Sequence, residues 1–201
     1  MQSYIPRIFE LPSLSDLSEK QVTVHLGLYE GYVKHVNVLR EQIQHLQGDV
    51  EKNAYAITEV RRRLGFEFNG MRMHEYYFAQ LEKGPQEHVD NSGLTQVLIE
   101  KYGSWDAFIT HFVTVGMSRG IGWSVLYYDP IGKTPHVAWV SDHELGQLGS
   151  LPIILAMDMW EHAFMVDFVP SEKKQYIEAF LKNLNWTVPE TRFAHVTIPT
   201  I

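Results

Sequence analysis

The stretch "EKQVTVHLGLYEGYVKHVNVLREQIQHL", residues 19–46, decides how the chain begins to fold. Val22, Tyr29, Tyr32, Val36, Leu39, Ile43 and Leu46 recur along it, and adding His25 completes an alternation of three- and four-residue steps. That alternation is the seam of an α-helix packed on another helix, so His25 faces inward with two tyrosines on its stripe. Ser18 with Gln21 three residues on reads as a capping box that opens the helix, and Gly48 as its end.

Helical patterning resumes through "VEKNAYAITEVRRRL" (50–64). A further helix, "MRMHEYYFAQL" (71–81), carries Met73, Tyr77 and Leu81 on one face and His74 on its border. Long helices joined this way form an antiparallel hairpin. "EKGPQEHVDNSG" (82–93) is polar, holds Gly and Pro and has no apolar period, so it reads as a linker. It separates an N-terminal helical hairpin domain, residues 1–85, from a C-terminal α/β domain, residues 86–201.

Beyond the linker the character changes. "GLTQVLIEKYG" and "SWDAFITHFVTVGMSRG" read as helices, and "GWSVLYYDPIGKTPHVAWV" (122–140) as two strands around a turn. "LPIILAM" (151–157) is a short buried strand with Pro152 near its start, and "SEKKQYIEAFLKNL" (171–184) is a closing helix with Ser171 as its N-cap. The expected fold class is α+β: an N-terminal antiparallel helical hairpin followed by a small antiparallel β-sheet flanked by helices.

Composition narrows the chemistry. The absence of cysteine excludes disulfides, thiolate metal sites and cysteine nucleophiles. A formal charge of -7 argues against nucleic acid or an anionic membrane as partner, and Arg61-Arg62-Arg63 reads as a solvated helix face. No apolar run approaches the ~20 residues of a membrane span. "MQSYIPRIFELPSL" lacks the pattern of a secretory signal, so a cytoplasmic location is expected.

Directly after the buried strand comes "DMWEHAF" (158–164). Asp158 and His162 are four apart and project to one side if the chain turns into a helix there, with Trp160 and Phe164 excluding water. Alone, the pair reads more simply as a hydrogen-bonded core histidine, and so do His25 and His74 taken singly. Together, three inward histidines and one aspartate in a cysteine-free chain suit a first-row metal with a position left for water or substrate. "HEYYF" at 74 is not a zincin motif, and no E-x-x-H pair, phosphate loop or nucleophile elbow occurs. A mononuclear metal site is what survives.

"DMWEHAFMVDF" (158–168) resembles the D-x-W-E-H-A-Y-x-x-D-Y signature of the iron/manganese superoxide dismutases. "HLGLYEGYVKHVN", "FNGMRMHEYYFAQL", "GIGWSVLYYD" and "YIEAFLKNLNW" extend the resemblance across nearly the whole chain. It implies His25, His74, Asp158 and His162 as ligands of one iron or manganese ion per chain, with a bound solvent. The trivalent ion would oxidise one superoxide to dioxygen, and the divalent ion would reduce a second to hydrogen peroxide. By the same resemblance Tyr32 takes the gateway position, Trp123 and Trp160 form the apolar shell, and Glu161 reaches the ligand histidine of a second subunit. A homodimer is therefore implied, with a tetramer as the larger option.

Several positions depart from the family's pattern. His25 to Tyr32 is one residue shorter than usual, which predicts a lost π-bulge. Tyr29 stands at the interface histidine and Phe164 at its tyrosine partner, so a hydrophobic or differently wired interface is expected. Gly70 stands where many iron forms have glutamine. His143, with Gln147 nearby, stands where many manganese forms supply one, making His143 the expected partner of metal-bound solvent. Lys173 replaces an anion-guiding arginine, which keeps the charge but loses the rigid fork.

Overall fold

The computed structural model describes residues 2–197. Helix α1, Glu19–Leu46, and helix α2, Val50–Ala79, form the hairpin, closed by a 3-10 turn over Gln47–Asp49. Ser18 caps α1 by accepting from the Gln21 amide, but the capping box is not completed. The Ser18 amide donates to Asp167 instead, and the Gln21 side chain is used elsewhere. α2 is one helix where the sequence suggested two. Gly65 and Gly70 lie inside it, and a helical glycine costs only about 1 kcal/mol, which packing outweighs.

Along α1 the buried row is Gln21, His25, Tyr29, Val33 and Val36. Val33 thus takes the fully buried place expected of Tyr32, while Leu39, Ile43 and Leu46 are only half-buried. The reason is coverage. Apart from Ile57, the buried residues of α2 also fall in its second half, from Glu67 to Ala79, and α2 packs on β3.

Helices α3, Gly93–Tyr102, and α4, Trp105–Gly116, lead into the sheet, with Ser92 and Ser104 capping them. Strands β1, Gly122–Asp129, β2, Thr134–Ser141, and β3, Ile153–Asp158, pair antiparallel in the order β2-β1-β3. Central β1 is buried almost throughout. Its register sets Trp123 opposite both Val140 and Asp158. Gly122 permits the close approach, since a Cβ there would lie 2.1 Å from the Val140 carbonyl oxygen.

Helix α5, Lys173–Lys182, starts later than expected. Ser171 is not its cap: it lies within a 3-10 turn, Pro170–Glu172, whose Glu172 carboxylate accepts from the Val169 amide. Proline's fixed φ starts that turn and displaces the helix by one residue past it. A last helix, α6, Thr187–Thr197, was not expected from the sequence. Buried Phe193 and the Arg192 guanidinium fix it, the latter donating to Gln80 and to the carbonyls of Ile154 and Tyr76. Among the described residues no helix is long and apolar enough to cross a membrane.

Candidate metal centre

β3 ends at Asp158, and the chain then turns through a short 3-10 segment, Glu161–Ala163, that carries His162. His25 comes from α1 and His74 from α2, so four separate elements deliver one polar side chain each to the same point. Oδ2 of Asp158 lies 3.0 Å from His25 Nε2, 3.2 Å from His162 Nε2 and 3.4 Å from His74 Nε2. The Nε2 atoms of His74 and His162 are 3.3 Å apart, and all four donors lie within 4.8 Å of one another. An ion with bonds of about 2.1 Å leaves edges of roughly 3.0–3.6 Å between neighbouring donors. The four individual separations, 3.0–3.4 Å, fall within that range.

Donor chemistry agrees with the spacing. His74 Nδ1 lies 2.6 Å from the Gly70 carbonyl, which can only accept, so Nδ1 carries the proton and Nε2 turns its lone pair into the cluster. Burial pushes the His25 and His74 imidazoles down, against the opposing pull of Asp158, so both stay neutral as ligands must. For Asp158 burial acts to raise the carboxyl, but His162 and His25 outweigh it and hold it below the usual carboxylate range. Its Oδ1 accepts from the Trp160 amide at 2.8 Å, leaving Oδ2 for the centre.

Two supports were not read as part of the site from the sequence. The Gln21 side chain donates to the His162 carbonyl at 2.7 Å and accepts from the Val166 amide at 2.9 Å, clamping the turn onto α1. The Tyr176 hydroxyl donates to the Asp158 carbonyl at 2.7 Å. Gln21 was visible only as a cap, although its place four residues before His25 puts it on the same buried face.

Around the ligands lies a hydrogen-bonded layer. Trp123 Nε1–H donates to His143 Nδ1 at 3.0 Å, and indole is a donor only, so the neutral His143 carries its proton on Nε2. That Nε2–H donates to the Tyr32 oxygen at 2.8 Å. His143 is fully buried, and its backbone carbonyl accepts from Asn69 and Gln147. Burial pushes its imidazole down to about 4. The Tyr32 phenol is raised by burial and by the Asp158 and Glu67 charges, so it stays protonated. Trp160 lies over both His143 and His162, with ring centroids 4.8 and 5.5 Å away. Gly70 lies under the Tyr32 ring: a Cβ there would stand 2.6 Å from Tyr32 Cδ1.

Residues 90–192 match the C-terminal domain of the iron/manganese superoxide dismutases. The chain is 31% identical over 180 residues to a superoxide dismutase (Fe) of Sulfolobus acidocaldarius, covering 88% of this chain and 85% of that one. It is 30% identical over 189 residues to a superoxide dismutase (Fe) of Cupriavidus metallidurans, covering 92% of each. A superoxide dismutase (Mn/Fe) of Aeropyrum pernix is 28% identical over 171 residues, 84% of this chain and 78% of that protein.

The chain belongs to the iron/manganese superoxide dismutase family.

Within this superoxide dismutase fold the departures find physical reasons. α1 is α-helical throughout, with no bulge between His25 and Tyr32, and Tyr32 stands two turns from His25 on its own side. Tyr29 is buried: its hydroxyl accepts from the Arg7 amide at 2.8 Å and donates to Glu75 at 3.2 Å. Phe164 is also buried and stacks on Tyr176, ring centroids 5.2 Å apart. Glu161 is exposed beside exposed Met165 and Val166. The half-buried Lys173 ammonium donates to the Ser118 carbonyl at 2.8 Å and lies 5.4 Å from the Trp139 ring.

Proposed function

We propose that the protein disproportionates superoxide into dioxygen and hydrogen peroxide at one iron or manganese ion held by His25, His74, Asp158 and His162. The observation that carries this is the convergence of three imidazole Nε2 atoms on one Asp158 oxygen at 3.0–3.4 Å. The chemistry such an ion would supply is a reversible one-electron change, taken from one substrate and given to the next, which zinc could not provide.

The chain's own residues supply order and protons. Because His143 Nε2–H donates to the Tyr32 oxygen, the Tyr32 hydroxyl proton is left to point at the site. Its raised affinity for that proton keeps it a donor at neutral pH, suited to supplying a proton to the reduced substrate or orienting solvent. The His143–Trp123 bond holds the imidazole in this tautomer, and Trp123 and Trp160 exclude bulk water. The proposal includes a homodimer, with exposed Glu161 and the apolar Met165 and Val166 beside it as the shared surface.

Reconstitution with iron and manganese separately, elemental analysis and a superoxide-consumption assay test the reading. Activity with one ion per chain is expected, lost together with the metal in His162→Ala. Fully loaded protein without activity would refute it. Light scattering tests the dimer, and a monomer at micromolar concentration would remove the shared surface.

A further inference from the structure

The aromatic layer over the ligands is not evenly covered. Tyr32, Phe66 and Trp160 are each half-buried, whereas His143 beneath them is fully buried. The Phe66 ring centroid lies 4.7 Å from that of His143, 6.4 Å from Tyr32 and 6.3 Å from Trp160. These three rings therefore form the side of the site that faces solvent.

Arg63 lies on the outer surface of that rim, its Cζ 3.8 Å from the Phe66 centroid. Its Nε donates to Glu67 Oε1 at 2.8 Å, and Nη2 stands 2.6 Å from the same oxygen. The Arg63 side chain is 50% exposed while that of Glu67 is only 6% exposed. Glu67 Oε2 has no hydrogen-bond partner among the described residues, with His35 Nδ1 3.6 Å away. A buried carboxylate is costly unless paired, so Glu67 holds the guanidinium in place over Phe66 rather than leaving it free to swing. Nη1 makes no bond among the described residues, and it remains to meet an incoming anion.

Charge makes the position consequential. The chain carries -7 overall, so an anion approaching at random is repelled. Carboxylates stand near this mouth too: Glu144 Oε1 lies 4.0 Å from where a Gly65 Cβ would be, and Asp142 adjoins His143. The other candidate cation, Lys173, is half-buried against Trp139 with its ammonium on the Ser118 carbonyl. Arg62, one residue away, pairs outward with Glu59.

We propose that Arg63, clamped by Glu67 over Phe66, is the cation that draws the anionic substrate to the mouth of the metal site. The inference rests on superoxide being the substrate. The test uses the iron-loaded protein and two readouts: the second-order rate constant against ionic strength, and the dissociation constant of azide from its absorption band. Arg63→Gln, whose amide still reaches Glu67, is expected to lower the rate constant and weaken azide about three- to tenfold at low salt. The gap should close near 0.5 M salt, where charges are screened within several ångströms. Arg63→Lys should keep most of both, and Arg62→Gln should stay within about twofold of the parent, since its charge faces away.

Arg63→Gln at parental rate and azide affinity would overturn the proposal. So would a loss that persists at high salt, or an equal loss in Arg62→Gln. A parent protein that binds iron and azide but consumes no superoxide would instead refute the reaction. The azide series, which needs no turnover, would still decide Arg63.

Discussion

Gly70→Ala should destabilise the protein, although the general rule for a helical glycine points the other way. Replacing glycine by alanine inside a helix gains about 1 kcal/mol from backbone entropy alone. Here the new Cβ would stand 2.6 Å from Tyr32 Cδ1 and 2.7 Å from Cε1, against about 3.5–4.0 Å for an ordinary carbon contact. The ring must withdraw by about 1 Å, and such overpacking costs about 1–3 kcal/mol. Tyr32 is also tethered to His143 at 2.8 Å, so the same shift breaks a hydrogen bond for about 1 kcal/mol more. The net expectation is a loss of about 1–3 kcal/mol, measured by urea denaturation at equal metal occupancy. In a Tyr32→Ala background the obstacle is gone and Gly70→Ala should stabilise by about 1 kcal/mol. Equal effects in the two backgrounds, or a more stable Gly70→Ala single variant, would refute the reasoning. The same geometry says why glutamine has no place at position 70: Tyr32 occupies the space into which it would grow.

Two further outcomes follow from the layer around the ligands. Folded His143 protonates only near pH 4, whereas in the unfolded chain it does so near its ordinary value of 6.5. The unfolded state therefore binds more protons between these limits. Stability should fall as pH drops through that window, by about 3 kcal/mol for this residue, and His143→Gln should remove that share in chemical denaturation of the metal-free protein at pH 7 and 4. Gln21→Ala deprives the His162 carbonyl and the Val166 amide of their partners. It should cost about 2–4 kcal/mol by urea denaturation and weaken metal retention in equilibrium dialysis, with a neutral result showing that water replaces the clamp.

Period and punctuation made much of this architecture legible. The three- and four-residue steps of residues 19–46 mark a helix with His25 inside, and the structure buries that histidine. The two β-rich runs and "LPIILAM" became β1, β2 and β3. The four donors were legible as a set because each sits where local patterning points inward, and because ionisable groups beside a core need partners. Ser171 and α6 show the limit of that kind of reading. One polar residue before a helix looks like a cap until Pro170 starts a turn of its own, and α6 is stabilised by Arg192 and Phe193 reaching distant segments.

What the sequence determined by itself, then, is which histidines and aspartate turn inward and the elements that carry them, since hydrophobic period depends on neighbours within a few residues. Tertiary structure alone decided how those donors meet and what surrounds them. That Tyr32 lies on Gly70 and accepts a hydrogen bond from His143, and that the Gln21 side chain holds the His162 turn, are pairings across separate elements. Their partners are far apart along the chain, and only the packing angle of two helices against a sheet edge brings them within hydrogen-bonding reach.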